Sequence, residues 1–383
     1  MKIAIATFAD LPNPPSKGGA VESLIDDLCK INEKKNQLSL DVFSVYDSAA
    51  VELAKDYRNT EFIYYRRYKN RRISKKNIVH KLFDKSIPDR TMQELIKLIN
   101  LNCYDYVLVT SINYEMEYIF QKINSRVIWY LHGDPISVLS REAIKRITNH
   151  CYAVITVSDF VNSRITSVDS KCKVMTIRNC TDLLPVQPKE EFAVRQEIRG
   201  EIGVRDSDKL FVYIGRITPI KGIYELVEAF VIANIKNTKL LIVGAPSDES
   251  EKIYLKKIKS IANQNVIYWG YAAHGSLNKL YCAADCIVAP SVCQEAALLI
   301  ALEAAICHRF LIATKIGGIP EYADDNTILV EYNERFVNNL ADAMQYICAS
   351  AYHIVQKKIE SNPVEKYYDD FCNVLLQFTK EDI

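Results

Sequence analysis

The sequence predicts an α/β protein built from two doubly wound parallel-sheet domains, and three observations carry that expectation. Short apolar runs alternate with helix-compatible stretches, the rhythm of consecutive βαβ units. The runs 209–214, 240–243 and 266–269 stop at Gly215, Gly244 and Gly270, while 286–289 and 310–313 lead into the turns at Pro290 and Gly317. Five strands thus end in loops at one kind of point, where open parallel sheets bind ligands. Finally, 383 residues exceed what one compact core takes and suit two ordinary domains.

In chain order, 1–9 reads as a buried strand. It is apolar enough to resemble a signal peptide, but it is short and meets Asp10 and a proline-rich loop at once. The loop ends in Gly18 and Gly19 before a helix near 20–33. Two glycines let backbone approach a ligand, and the N–H groups ahead of the helix can meet phosphate. A glycine pair also marks ordinary turns, and Lys17-Gly18-Gly19 is not a P-loop, since no Gly-Lys-Ser/Thr closes it. Strands follow at 38–46 and 61–65.

The sharpest compositional change is 66–85, where Arg66, Arg67, Lys69, Arg71, Arg72, Lys75, Lys76, Lys81 and Lys85 face a single acid, Asp84, with Tyr64, Tyr65, Tyr68 and Phe83 interleaved. Such a stretch is either a solvated loop or a contact for an anionic membrane surface. Runs 106–110 and 127–131 read as strands, the second leading into His132-Gly133, and 153–157 and 174–177 as two more. The prolines and alternating charges of 185–191 read as a linker. The expected division is an N-terminal domain 1–184, a linker 185–191, a C-terminal domain 192–360 and a final helix within 361–383.

Net charge is +1, so no global excess points to nucleic acid. Eleven scattered cysteines without C-x-x-C spacing look like small core residues in a reducing cytoplasm rather than metal ligands. No run reaches the roughly 18 apolar residues of a spanning helix. The charged candidates gather in the second half: Arg216 and Lys221 follow a strand that breaks at Gly215, and Glu295 and Glu303 follow the strand 286–289. If the residues after Glu295 are helical, the two acids lie about two turns apart on one face and can meet one ligand.

In order and spacing, Gly215-Arg216, Lys221-Gly222, 277–281 with Ala284-Asp285, Pro290-Ser291, the Glu295/Glu303 pair and Gly317-Gly318-Ile319-Pro320-Glu321 resemble the retaining family 4 glycosyltransferases of the GT-B fold. The likeness is close over 209–330 and loose in the first half. It implies two Rossmann-like domains facing across a cleft, a nucleotide-sugar donor with UDP favoured, and a glycan or lipid-linked saccharide acceptor. It implies no cofactor and no metal. Arg216 and Lys221, with the N–H groups of Ala297, Leu298 and Leu299, would hold the diphosphate, and Glu303 the ribose. Glu295 would orient the transferred sugar, with His132 close to it. Gly270 and Tyr271 would lie at the base, and Gly18 and Gly19 would face the donor from the first domain. The chain departs from the pattern at Leu298, where the family has Gly, and at His308-Arg309. A sugar-nucleotide epimerase, a phosphorylase and a non-catalytic nucleotide-sugar-binding subunit stay open beside the transferase. The expected place is the cytoplasm, on the inner face of the membrane if 66–85 touches lipid.

Overall fold

The computed structural model describes residues 1–8, 11–68, 90–349 and 363–380. The chain divides into two compact units, Met1–Cys180 together with Asn362–Ile383, and Thr181–Ser361.

The first unit is a seven-stranded parallel sheet made of β1 (Lys2–Ala6), β2 (Ser39–Val45), β3 (Thr60–Tyr65), β4 (Tyr106–Val109), β5 (Arg126–Leu131), β6 (Ala153–Thr156) and β7 (Val174–Thr176). Its order is β3-β2-β1-β4-β5-β6-β7. β4 and β6 are buried along their whole length, as continuous apolar runs are when helices cover both faces of a sheet. The last helix, Pro363–Lys380, belongs to this unit. The Tyr367 hydroxyl meets that of Tyr130 at 2.7 Å, Tyr368 donates to Asn32 at 2.7 Å, and Phe378 packs against Tyr106 and Tyr152.

The second unit is a six-stranded parallel sheet of β8 (Lys209–Ile214), β9 (Thr238–Val243), β10 (Val266–Gly270), β11 (Cys286–Ala289), β12 (Phe310–Thr314) and β13 (Thr327–Val330). Its order is β10-β9-β8-β11-β12-β13. Alternation along β8 splits the core in two: Phe211 and Tyr213 join the helices Ile223–Ala233 and Phe336–Ala349, while Leu210, Val212 and Ile214 join Leu277–Ala283 and Leu299–Ile306. Strand order reverses between β8 and β11, the kind of point at which open parallel sheets bind ligands.

Two sequence expectations change. The stretch 185–191 is not all linker, because 188–191 is the first turn of the helix Pro188–Glu201. Pro188 fits there, where its missing N–H costs nothing. Farther along, Arg195 and Arg199 hold Asp285 at 2.7 and 2.6 Å, and Arg199 also donates to the carbonyls of Ala283, Arg205 and Asp208, which ties the helix to the second unit. The second change concerns Glu295, which is not helical. The helix begins at Leu299, four residues later. Of the basic stretch 66–85, everything beyond Tyr68 lies outside the described residues.

Candidate active site

Three loops of the second unit converge on one carboxylate. After β8 the chain turns at Gly215 and makes a short 3-10 turn, Pro219–Lys221, that ends at Gly222. Gly222 has φ +67°, and a Cβ there would lie 1.9 Å from the Pro290 carbonyl oxygen, so only glycine lets the loops after β8 and β11 touch. The Val292 N–H donates to the Ile220 carbonyl at 3.0 Å and closes the contact.

At the centre of this crossing the Lys221 ammonium lies 2.5 Å from Glu295 Oε1, and the hydroxyl of buried Ser291 donates to the same oxygen at 2.7 Å. A third loop, after β12, fixes the backbone: the Gly318 N–H donates to the Glu295 carbonyl at 2.7 Å. Gly317, at φ +58°, sits so close that a Cβ would lie 2.4 Å from that carbonyl oxygen. Arg216 is exposed beside the same cluster. The Cys293 thiol, pushed up by burial, feels Glu295, Lys221 and Arg216 together. Tyr213 holds the arginine's backbone, donating to the Arg216 carbonyl at 2.7 Å.

Glu303 stands apart from this cluster. It lies inside the helix Leu299–Ile306, is buried, and accepts the Tyr281 hydroxyl. Burial pushes its carboxyl above the ordinary range, with the Tyr281 hydrogen bond pulling the other way. The two glutamates therefore do not share a helix face. Their eight-residue spacing crosses a loop, 291–298, in which Ser291, Lys221 and the glycine pair override the helix propensity of the Ala-Ala-Leu-Leu run. The N–H groups of Ala297 and Leu298 precede the helix, and Leu299 opens it. Gly270 ends β10 at φ +92°, and Tyr271 beside it is 72% exposed. Nearby in the chain, His274 Nε2 lies 2.7 Å from Asp182.

Gly18, Gly19 and His132 belong to the first unit. His132 follows β5, and both its ring nitrogens are buried without a partner among the described residues. Burial pushes its pKa down to about 3, so the ring is neutral at ordinary pH, 4.2 Å from the Tyr130 ring centre. Gly18 and Gly19 both have positive φ, as the loop requires. What the sequence reading missed is Glu22. Its carboxylate fills the space against Gly19, where a Cβ would lie 2.1 Å from Oε2. Burial pushes this carboxyl up, while its own N–H pulls it down. A carboxylate thus stands where the sequence put phosphate, and it takes up a free N–H of the helix Ala20–Lys35. The signal was in the sequence as an acid in the first helical turn. Ser291 was legible too, four residues before Glu295, but only as part of a motif.

Among the described residues no three His, Cys, Asp or Glu side chains converge as metal ligands, and no helix is long and apolar enough to cross a membrane.

Residues 208–350 match the family described as Glycosyl transferases group 1. The chain is 28% identical over 197 residues to the lipopolysaccharide 1,2-N-acetylglucosaminetransferase of Salmonella typhimurium, covering 49% of this chain and 51% of the relative, so it spans about half of that enzyme. It is 22% identical over 343 residues to spore coat protein SA of Bacillus subtilis, covering 85% and 84%. Among solved structures, Anabaena HepE in complex with UDP and glucose superposes with a TM-score of 0.74 at 17% identity, covering 98% of this chain and 100% of that one. The catalytic domain of starch synthase IV from Arabidopsis thaliana, bound to ADP and acarbose, does so with 0.68 at 13%, covering 99% of both chains. Over residues 208–350 the chain is similar to the group 1 glycosyl transferases, and its two Rossmann-like sheets have the GT-B fold.

Proposed function

We propose that the chain is a retaining glycosyltransferase that moves a sugar from a nucleotide-sugar donor, with UDP as the nucleotide, to a glycan acceptor without the help of a metal. The observation that carries this reading is the meeting of Lys221, Ser291 and Glu295 where the second sheet reverses. A nucleoside diphosphate leaves with negative charge growing on its β-phosphate, and donors fixed beforehand stabilise that charge most. In this reading Lys221 turns from Glu295 to the diphosphate, exposed Arg216 joins it, and the N–H groups of Ala297, Leu298 and Leu299 complete the cradle. Glu295, kept in place by Ser291, then accepts hydroxyls of the transferred sugar.

Tyr281 occupies one side of the Glu303 carboxylate and leaves the other for the ribose hydroxyls. Gly270 and Tyr271 take the base, and in the first unit neutral His132 offers two ring nitrogens, unpartnered among the described residues, that suit a sugar hydroxyl. UDP is favoured by the ligand of the Anabaena structure, and a surface-polysaccharide acceptor by the similarity to the Salmonella enzyme. A lipid-linked acceptor and a place on the inner face of the membrane would fit exposed Arg66 and Arg67 at the start of the basic stretch.

The test incubates the protein with labelled UDP-, ADP- and GDP-sugars and a lipid extract, and reads both the nucleotide released and the anomeric configuration of the product. Lys221→Ala should lower kcat/KM by about 2–4 kcal/mol of transition-state stabilisation while leaving the fold intact. A variant with wild-type turnover would remove Lys221 from the chemistry, an inverted product would end the retaining mechanism, and tight UDP binding without transfer would favour a binding subunit.

A further inference from the structure

The first unit holds a second cluster with chemistry of its own, at the sheet edge opposite His132. Cys151 lies two residues before β6 and Cys172 two residues before β7, and these strands pair in register at Val154 and Val174. Each cysteine closes the same kind of turn: the Cys151 N–H donates to the Thr148 carbonyl at 3.4 Å, and the Cys172 N–H to the Asp169 carbonyl at 3.2 Å. The two turns are tied to one another, because the Thr148 hydroxyl donates to Asp169 at 2.8 Å. Continued, this register puts Cys172 opposite Tyr152, one residue along from Cys151, so a strand spacing of about 4.8 Å and a rise of about 3.3 Å place the two Cα atoms about 5.8 Å apart, inside the range of about 4.4–6.8 Å that a disulfide spans. The two thiols lie close enough for each to shift the other's proton affinity, Cys151 upward and Cys172 downward, and both are free and partly exposed.

We propose that Cys151 and Cys172 form a reversible disulfide, a redox modification site separate from the transferase chemistry. Cys172 is the attacking thiol. The neighbouring Cys151 thiol pulls the Cys172 thiol below its ordinary range, burial and the Asp169 carboxylate oppose this, and the Lys145 ammonium, held 2.5 Å from Asp169, adds a smaller downward pull. With hydrogen peroxide as oxidant, the Cys172 thiolate attacks one oxygen, the O–O bond breaks, and hydroxide leaves to be protonated by water. The Cys151 thiol then attacks the sulfenic sulfur. The S–S bond forms, the S–O bond breaks, and the Cys151 proton leaves with the departing oxygen as water. Two electrons from the thiol pair reduce one peroxide.

The experiment treats the whole chain with hydrogen peroxide or oxidised glutathione, alkylates the remaining thiols, digests without reductant and maps the peptides by mass spectrometry. The expected product is one cross-linked peptide joining Cys151 to Cys172, two hydrogens lighter than the reduced pair and restored by dithiothreitol. Alkylation of both residues should fall about tenfold while exposed Cys103 stays labelled. In Cys151→Ser, dimedone should trap a sulfenic acid on Cys172; in Cys172→Ser, Cys151 should stay largely unreacted. Full alkylation of both cysteines after oxidation, or their pairing with other thiols instead of each other, would overturn the proposal.

Discussion

Replacing Glu295 with Gln should make a nucleoside diphosphate bind more tightly while transfer slows. In the structure Lys221 spends its charge on Glu295 at 2.5 Å, with side chains only 24% and 14% exposed, so the pair is screened little by water. A diphosphate that needs Lys221 must draw it away from, or share it with, a carboxylate that also repels the incoming phosphates. At an effective dielectric near 20 two unit charges 4 Å apart interact by about 4 kcal/mol, most of which the solvation change offsets, and a charge-assisted hydrogen bond nets about 1.5–3 kcal/mol. Gln keeps the shape and can still accept from Ser291, but it removes the competing charge. Tightening of UDP by about 1.4 kcal/mol, close to tenfold in Kd, is the expected outcome. Over the same substitution kcat should fall about 100-fold or more, because the contact to the sugar hydroxyls loses its charge. Calorimetric titration with UDP, and with ADP and GDP for comparison, reads the first effect and radiolabelled transfer the second. Weaker or unchanged UDP binding in Glu295→Gln would refute the view that Lys221 is held in reserve by this glutamate.

Three further outcomes follow from the same geometry. Gly222→Ala puts a Cβ 1.9 Å from the Pro290 carbonyl at a φ of +67°, and should cost about 2 kcal/mol or more, read as a lower Tm together with loss of UDP binding. Burial holds the Glu303 carboxyl above its ordinary 4.5, so the folded state binds the extra proton; this residue's contribution to stability is complete below 4.5 and is lost as pH rises through the folded value. Glu303→Gln should therefore raise Tm at pH 7 and flatten its pH dependence while weakening UDP binding, and an unchanged Tm profile would count against the buried charge. Transfer should persist in excess EDTA, since Arg216 and Lys221 are assigned the charge that a metal would neutralise; loss reversed by added divalent ion would contradict that assignment.

The strands of both sheets were legible because a strand buried on both faces has to be apolar along its length: 209–214 and 286–289 match β8 and β11 residue for residue. β13 escaped notice, since Thr327–Val330 is short and only half buried. The site was legible as a set of charges but not as an arrangement. Spacing alone put Glu295 and Glu303 on one helix, and nothing local announced that Ser291, Lys221 and Gly318 would hold Glu295 in a loop, because those partners come from three different strand ends.

The same limit explains the two glycine loops, which look alike in sequence. Each follows the first strand of a doubly wound sheet, and each carries glycine into a helix, the arrangement that invites phosphate. What separates them is the charge the fold brings against the glycine. At Gly19 it is the buried carboxylate of Glu22, already seated on the helix N-terminus; at Gly222 it is the preceding residue, Lys221, with exposed Arg216 beside it. A dianionic diphosphate near Glu22 would face a like charge in a poorly solvated site, an unfavourable meeting of on the order of several kcal/mol before any hydrogen bond forms. Near Lys221 it meets opposite charge. This difference favours assigning the diphosphate to the second unit and leaves the Gly18–Gly19 loop better suited to uncharged, hydroxyl-bearing groups.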